Sequence, residues 1–329
     1  MESEIIFFRK GGLYMKKNFL KCFLGFFGAV GASLAGIVGY QQVVLKLAQK
    51  KKDETHFMET WESEEGEVAY RSVGTGRPLL LIHSMMLGAS SREWDDVIDG
   101  LAEHYHVYAV DLPGFGNSYH PEEPWTAYQY AKFLHTFMNE VIKRPACVCG
   151  ANAGADFALL LSMLHPEQVK RMILVSPEGI GRGFATEEDT KPLSLLLKPV
   201  AGTQKFLLGT SKKAIKTQLE TAFHAKEAIA AELVQRYADA SRYGDHAQAT
   251  YAGIATRFHA TDTKTAFEKL SVPFLMVWGE ENKTNPVAHF DTAEKMKNFG
   301  AFAVFEKTGA LPHMENSKAF LENTKEFLK

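Results

Sequence analysis

The sequence predicts an α/β fold: a mostly parallel, doubly wound sheet with a helical insertion, preceded by an N-terminal transmembrane helix. Three observations predict it. Short apolar runs alternate with helical patterns, at Leu79–Ile82, His106–Val110, Ala146–Gly150 and Met172–Val175. That rhythm breaks after Glu178 and returns only at Phe274–Trp278 and Ala301–Glu306. Ahead of the first strand, Cys22–Tyr40 carries no charged residue, and a bilayer needs roughly 20 such apolar positions. A chain of 329 residues accommodates one large α/β domain with both appendages. Its formal net charge of −2 leaves no basic stripe, so nucleic acid is not an expected partner.

Residues 1–18 form an N-terminal segment. A GGAGG codon choice at Gly11-Gly12 would set a bacterial ribosome-binding sequence just upstream of Met15. Translation is therefore expected to start at Met15, with 1–14 untranslated. Residues 19–44 are the expected transmembrane anchor, giving a single-pass membrane protein. Lys16, Lys17 and Lys21 on one side nearly balance Lys46, Lys50, Lys51 and Lys52 on the other, so the positive-inside rule does not orient it. Ser33-Leu34-Ala35 is a passable signal-peptidase site, but apolar character continues past it, which favours an uncleaved anchor. The cysteines are Cys22, Cys147 and Cys149, an odd set without framework spacing. They read as free thiols rather than a disulfide or metal ligands, which leans toward a cytoplasmic domain. Residues 45–56 make a charged linker.

Residues 57–178 form the first part of the core. Phe57–Trp61 and Val68–Val73 are candidate strands of an entry hairpin, and the uninterrupted Leu79–Ile82 is a buried strand. Helices are expected around Trp94–Leu101 and Tyr128–Val141. Pro145–Glu178 is the organising unit: a strand, the turn Gly150-Ala151-Asn152-Ala153-Gly154, a helix Asp156–His165 stopped by Pro166, and a second strand. Residues 179–269 hold helical patterns at Leu193–Leu196, Lys213–Phe223, Ala225–Arg236 and Ala247–Phe258. Residues 270–329 complete the core and end in an amphipathic helix from Ala319.

The turn at 150–154 resembles the G-x-S-x-G nucleophile elbow of the α/β-hydrolase family, with Asn152 in place of serine. Four further motifs follow the family's order. His83-Ser84-Met85 is similar to its His-Gly-x loop, and Asp111–Ser118 to its D-x-x-G-x-G-x-S turn. Asn282 follows the penultimate strand and His313 the last one. From Leu79 to the end, the chain thus looks like an α/β-hydrolase, and residues 179–269 fall where that family carries a lid. The resemblance implies Asn152 at the nucleophile position, Asn282 at the acid position and His313 as general base. It implies an oxyanion hole from the backbone N–H groups of Met85 and Ala153, a small-molecule ligand or substrate under the lid, and neither cofactor nor metal.

Two of these positions have lost their chemistry. The Asn152 amide has no proton that a base could remove to make a strong nucleophile, and Asn282 has no charge to stabilise an imidazolium. Acid-to-amide replacement in a serine protease costs about 10⁴ in turnover, and nucleophile loss in subtilisin about 10⁶. The expectation is a non-catalytic or vestigial hydrolase that binds a ligand or partner. The alternative is an active hydrolase of an ester or similar molecule, through Ser84 or Ser176, through water activated by His313, or through an Asn152 deamidated to aspartate. In that case Glu281 or Glu178 would stand in as the acid. His83 alternatively only holds its loop, and Asp156 reads as a carboxylate facing the helix dipole.

Overall fold

A computed structural model describes residues 35–44, 46, 58–296 and 300–329, which belong to two units, Met1–Leu45 and Lys46–Lys329. In the first unit residues 35–44 are helical. Among the described residues no helix is long and apolar enough to cross a membrane. The expected anchor is described only from residue 35. Its remainder, the Met15 start and all of the linker except residue 46 lie outside the described residues.

Eight strands form one sheet: β1 (Glu59–Glu62), β2 (Glu67–Val73), β3 (Arg77–Ile82), β4 (Tyr105–Val110), β5 (Ala146–Ala151), β6 (Val169–Val175), β7 (Phe274–Gly279) and β8 (Ala301–Phe305). Their order is β1-β2-β4-β3-β5-β6-β7-β8. The first two pairings are antiparallel and the rest parallel. Side chains alternate across this sheet, so each apolar run feeds two cores. Leu80 and Ile82 pack with Phe137, Phe157 and Trp278 on one face, while Leu79 and Leu81 pack with Trp94, Cys147, Cys149 and Phe320 on the other. The covering helices are α1 (Asp95–Ala102), α2 (Ala127–Phe137) and α3 (Ala153–Leu164). Helices α4 (Ala201–Gly209), α5 (Lys212–Ala222), α6 (Ala231–Ala240) and α7 (Ala247–Ala255) lie in the insertion, and α8 (Ala288–Met296) and α9 (Ser317–Leu328) complete the core.

Helix α3 begins in backbone contact with the sheet. A Cβ on Gly154 would lie 2.5 Å from the His83 carbonyl oxygen, and one on Gly150 would lie 2.5 Å from the Gly154 oxygen. Only glycine fits at either place, which is why the turn carries one at each end.

The insertion between β6 and β7 is helical, with two departures from the expected pattern. The helix expected over Ala225–Arg236 is a single turn at Lys226–Ala228, then α6, because Ala230 is extended at φ −63°, ψ 149°. Helix α4 was not legible, since Gly202, Thr203 and Gly209 are poor helix formers. In it Gly202 lies against the Leu196 carbonyl, where a Cβ would sit 2.2 Å away, and Phe206 is buried.

Asp156 lies in the first turn of α3, as the dipole reading expects, but its oxygens also meet partners outside that helix. It is buried and accepts from the Gly179 and Glu178 N–H groups at 3.0 Å and from Thr263 Oγ1 at 2.8 Å. It thereby fastens both ends of the insertion to α3. Burial, with the neighbouring Glu178 charge, pushes its carboxyl up to about 8, outweighing those hydrogen bonds. Between the unfolded value of 3.8 and about 8 the folded state binds the extra proton, so this group's contribution to stability falls as pH rises. Asp156→Asn is expected to flatten that slope in urea unfolding. Asp156→Ala should cost about 2–4 kcal/mol and speed amide exchange in the insertion more than in the strands. Equal exchange in both regions would show that Asp156 is not the fastening.

Candidate active site

The parallel register brings the functional positions to one edge. Ile82 pairs with Gly150, Ala151 with Val175, and Val175 with Val277. Met85 and Ala153 each lie three residues past the first pair, and Asn152, Asn282 and His313 follow the ends of β5, β7 and β8. Asn152 sits at φ 51°, ψ −120°, a conformation rarely adopted outside glycine. Its N–H donates to the Val175 carbonyl at 2.8 Å and its carbonyl accepts from Ala155 N–H at 3.0 Å. The side chain is 6% exposed, and its Oδ1 has no partner.

The three triad positions are not hydrogen-bonded to one another. Asn282 Oδ1 accepts from Thr284 N and Oγ1 and from Asn285 N at 2.9–3.1 Å, an Asx turn, while its Nδ2 is buried without a partner. His313, fully buried, instead pairs with Glu93: Nε2 lies 3.1 Å from Oε1. Trp94 stacks on the imidazole at 4.2 Å between ring centroids. Glu93 also accepts from Ser84 N at 3.1 Å and from Ser84 Oγ at 2.6 Å. Burial raises the Glu93 carboxyl, but the His313 hydrogen bond and attraction, with smaller help from His83 and Ser84, outweigh it and hold the group below its ordinary value. An ionised carboxylate only accepts, so Nε2 carries the proton. His313 Nδ1 is buried and has no partner.

Neither Glu178 nor Glu281 makes a hydrogen bond to His313; Glu178 pairs with Arg182 at 3.3 Å. Glu93 was missed because Ser90-x-x-Glu93 reads as a capping box. The Ser90 side chain does accept from Arg92 N–H, but the Glu93 carboxylate turns inward. His83 accepts from Leu112 N–H at Nε2, 3.1 Å, so Nδ1 carries the proton toward the Ser84 carbonyl at 2.7 Å. Burial lowers its pKa and keeps it neutral, as a loop tie. Asp111 accepts from Ser91 and Asn117 N–H groups and completes the same framework. The Ser176 hydroxyl is buried without a partner.

Two cavities lie against the insertion. Beneath α7, among Met85, Trp125, Tyr130, Ile254 and His259, lies about 10 Å³, room for one water at most. The larger, about 670 Å³, lies between the turn after β4 and α6, lined by Ser91, Asn117, Lys212, Arg236 and Tyr243, and neither Asn152 nor His313 borders it.

This topology and this edge define an α/β-hydrolase, and the chain belongs to that family: the α/β hydrolase fold family model matches residues 77–317. More particularly, it is 27% identical over 267 residues to a pimeloyl-[acyl-carrier protein] methyl ester esterase of Aeromonas hydrophila, covering 79% of this chain and 99% of that one. It is 32% identical over 146 residues to the 2-hydroxy-6-oxo-6-(2'-aminophenyl)hexa-2,4-dienoic acid hydrolase of Metapseudomonas resinovorans, covering 44% of this chain and half of that enzyme. A serine hydrolase of carbazole degradation superposes with a TM-score of 0.69 at 21% identity, over 83% of this chain and 98% of that one. A bacterial membrane phospholipase A gives 0.68 at 24% identity, over 95% and 98%.

The depressed Glu93 value has a measurable consequence. Its stabilisation is present above the ordinary glutamate value of 4.5 and is lost as pH falls through the lower folded value. Glu93→Gln is expected to cost about 3 kcal/mol at pH 7 in urea unfolding, with the difference narrowing in acid below that point. A deficit of the same size at pH 7 and pH 3.5 would rule out the ionised pair.

Proposed function

We propose that this chain is a membrane-anchored α/β-hydrolase-family protein that has lost serine-hydrolase activity and acts by binding a small molecule or a partner at the carboxyl edge of its sheet. The arrangement around His313 carries the reading. A serine-type relay needs the imidazole between hydroxyl and carboxylate. Here the carboxylate of Glu93 stands between Ser84 Oγ and His313 Nε2, so Ser84 is not activated by this base. Asn152 offers no nucleophile, and Asn282 is spent on its own turn. Unpartnered Asn152 Oδ1, Asn282 Nδ2 and His313 Nδ1 leave both donor and acceptor capacity for a polar ligand. The relatives named above act on an ester and a dienoic acid, so a carboxylic ester or acid is the class to screen first. Entry requires the helices over Met85 to move, because the space there is about 10 Å³.

Repair of the two asparagines tests the reading. Asn152→Ser alone should give at most weak labelling by a fluorophosphonate, and Asn282→Asp alone none. The double variant should gain more than both singles together on a short-chain aryl ester, because triad members act as a unit. Strong hydrolysis by the unaltered chain, abolished by His313→Ala, would refute the loss of activity. Intact mass at position 152 reports deamidation.

Anchoring is tested separately. With residues 19–44 as the span, the full chain should pellet with membranes and resist carbonate. Release by carbonate would remove that part of the reading.

A further inference from the structure

The insertion carries a surface that the binding site does not explain. From Thr190 to Leu219 the only charged residues are Lys191, Lys198, Lys205, Lys212, Lys213 and Lys216, although the whole chain has a net charge of −2. All six are exposed. Lys216 pairs with Glu220 at 3.5 Å. The other five make no ion pair among the described residues. Interleaved with them are exposed leucines: Leu195 at 45%, Leu197 at 38% and Leu208 at 58%.

Helix geometry sorts these residues onto an outer face. In α4, Gly202, Thr203 and Phe206 are buried, whereas Ala201, Lys205 and Leu208, at helical spacing, face outward. The turn at Leu193–Leu196 lies against α4 at Gly202, and Gln248 Nε2 ties it down through the Leu196 carbonyl at 2.7 Å. The Leu195–Lys198 edge and the outer face of α4 are therefore neighbours.

We propose that this face docks on an anionic lipid bilayer, with the leucines entering the headgroup region and the lysines against lipid phosphates. Exposed apolar side chains ringed by lysine are the composition of an interfacial surface. Protein interfaces, by contrast, are depleted in lysine, and bidentate recognition of a discrete carboxylate or phosphate uses arginine, of which this stretch has none. The proposal builds on the anchoring reading: residues 45–56 span at most about 40 Å, so a tethered domain stays within reach of the surface.

The full chain with Cys22→Ser and Leu208→Cys, labelled with an environment-sensitive nitrobenzoxadiazole dye, provides the test. Cys147 and Cys149 are buried and should not take the dye. The expected result is a blue-shifted emission on vesicles containing phosphatidylglycerol, absent on phosphatidylcholine alone and reversed by 0.5 M salt. A dye at Val304, exposed on the edge strand β8, should stay in water. Lys198→Glu with Lys205→Glu should lower the docked-to-free ratio about thirtyfold or more; Leu195→Ser with Leu197→Ser should also lower it, and serves as the second variant where the lysine pair disturbs folding. Four results would overturn the proposal: no shift, an equal shift on both lipids, an equal shift at Val304, or a shift in concentrated vesicle-free protein, which would mean self-association. Carbonate extraction of the same sample separates the two readings. Release by carbonate with a shift at Leu208 leaves docking standing and removes the anchor; resistance without a shift does the reverse.

Discussion

The carboxyl edge of the sheet depends on one crossing. Strand β5 turns into α3 within a single residue, and α3 then passes so close to β3 that Gly154 meets the His83 carbonyl. That approach puts Asn152 in its strained conformation, at a cost of about 1–3 kcal/mol that the surrounding packing offsets. Asn152 at this turn is buried, with its Oδ1 unpartnered. The fold therefore needs the turn, and the turn does not need a nucleophile.

The loops at this edge also hold a buried imidazole paired with a buried carboxylate. An imidazole buried on every side needs a partner, and with an amide at position 282 the nearest carboxylate in the structure is Glu93. Glu93 is satisfied from two directions, by His313 and by the loop at Ser84, so the pair is self-contained. The same loop would have to supply an oxyanion site. Its Ser84 N–H is held by the Glu93 carboxylate, one residue before the Met85 N–H that the resemblance assigns to that site.

Much of this was legible in the sequence, and for physical reasons. The central strands are apolar on both faces, so β3, β5 and β6 stand out as unbroken runs, and the glycines of the turn mark a close approach that few other arrangements require. The resemblance singled out Asn152, Asn282 and His313 by chain order, and they do follow the ends of β5, β7 and β8. What could not be read was partnership across the chain. Glu93 and His313 are 220 residues apart, and locally Glu93 has the spacing of an ordinary helix cap. Asp156 likewise has the look of a first-turn carboxylate until Gly179 and Thr263 are seen against it. Helix α4 was hidden for the opposite reason: its own residues disfavour it, and packing overrides them.

The two thiols of β5 give the crossing a built-in witness. Cys147 and Cys149 lie on one side of the central strand, among Leu79, Leu81 and Phe320, and burial pushes both thiols up, Cys149 the more strongly. In the closed molecule they are therefore inert toward alkylating reagents, which attack the thiolate. Any event that bares them must first part β5 from its covering helices, and β5 is the strand that delivers Asn152. The rate at which these cysteines become modified is thus a clock for breathing of the elbow itself, written into the chain without any foreign probe.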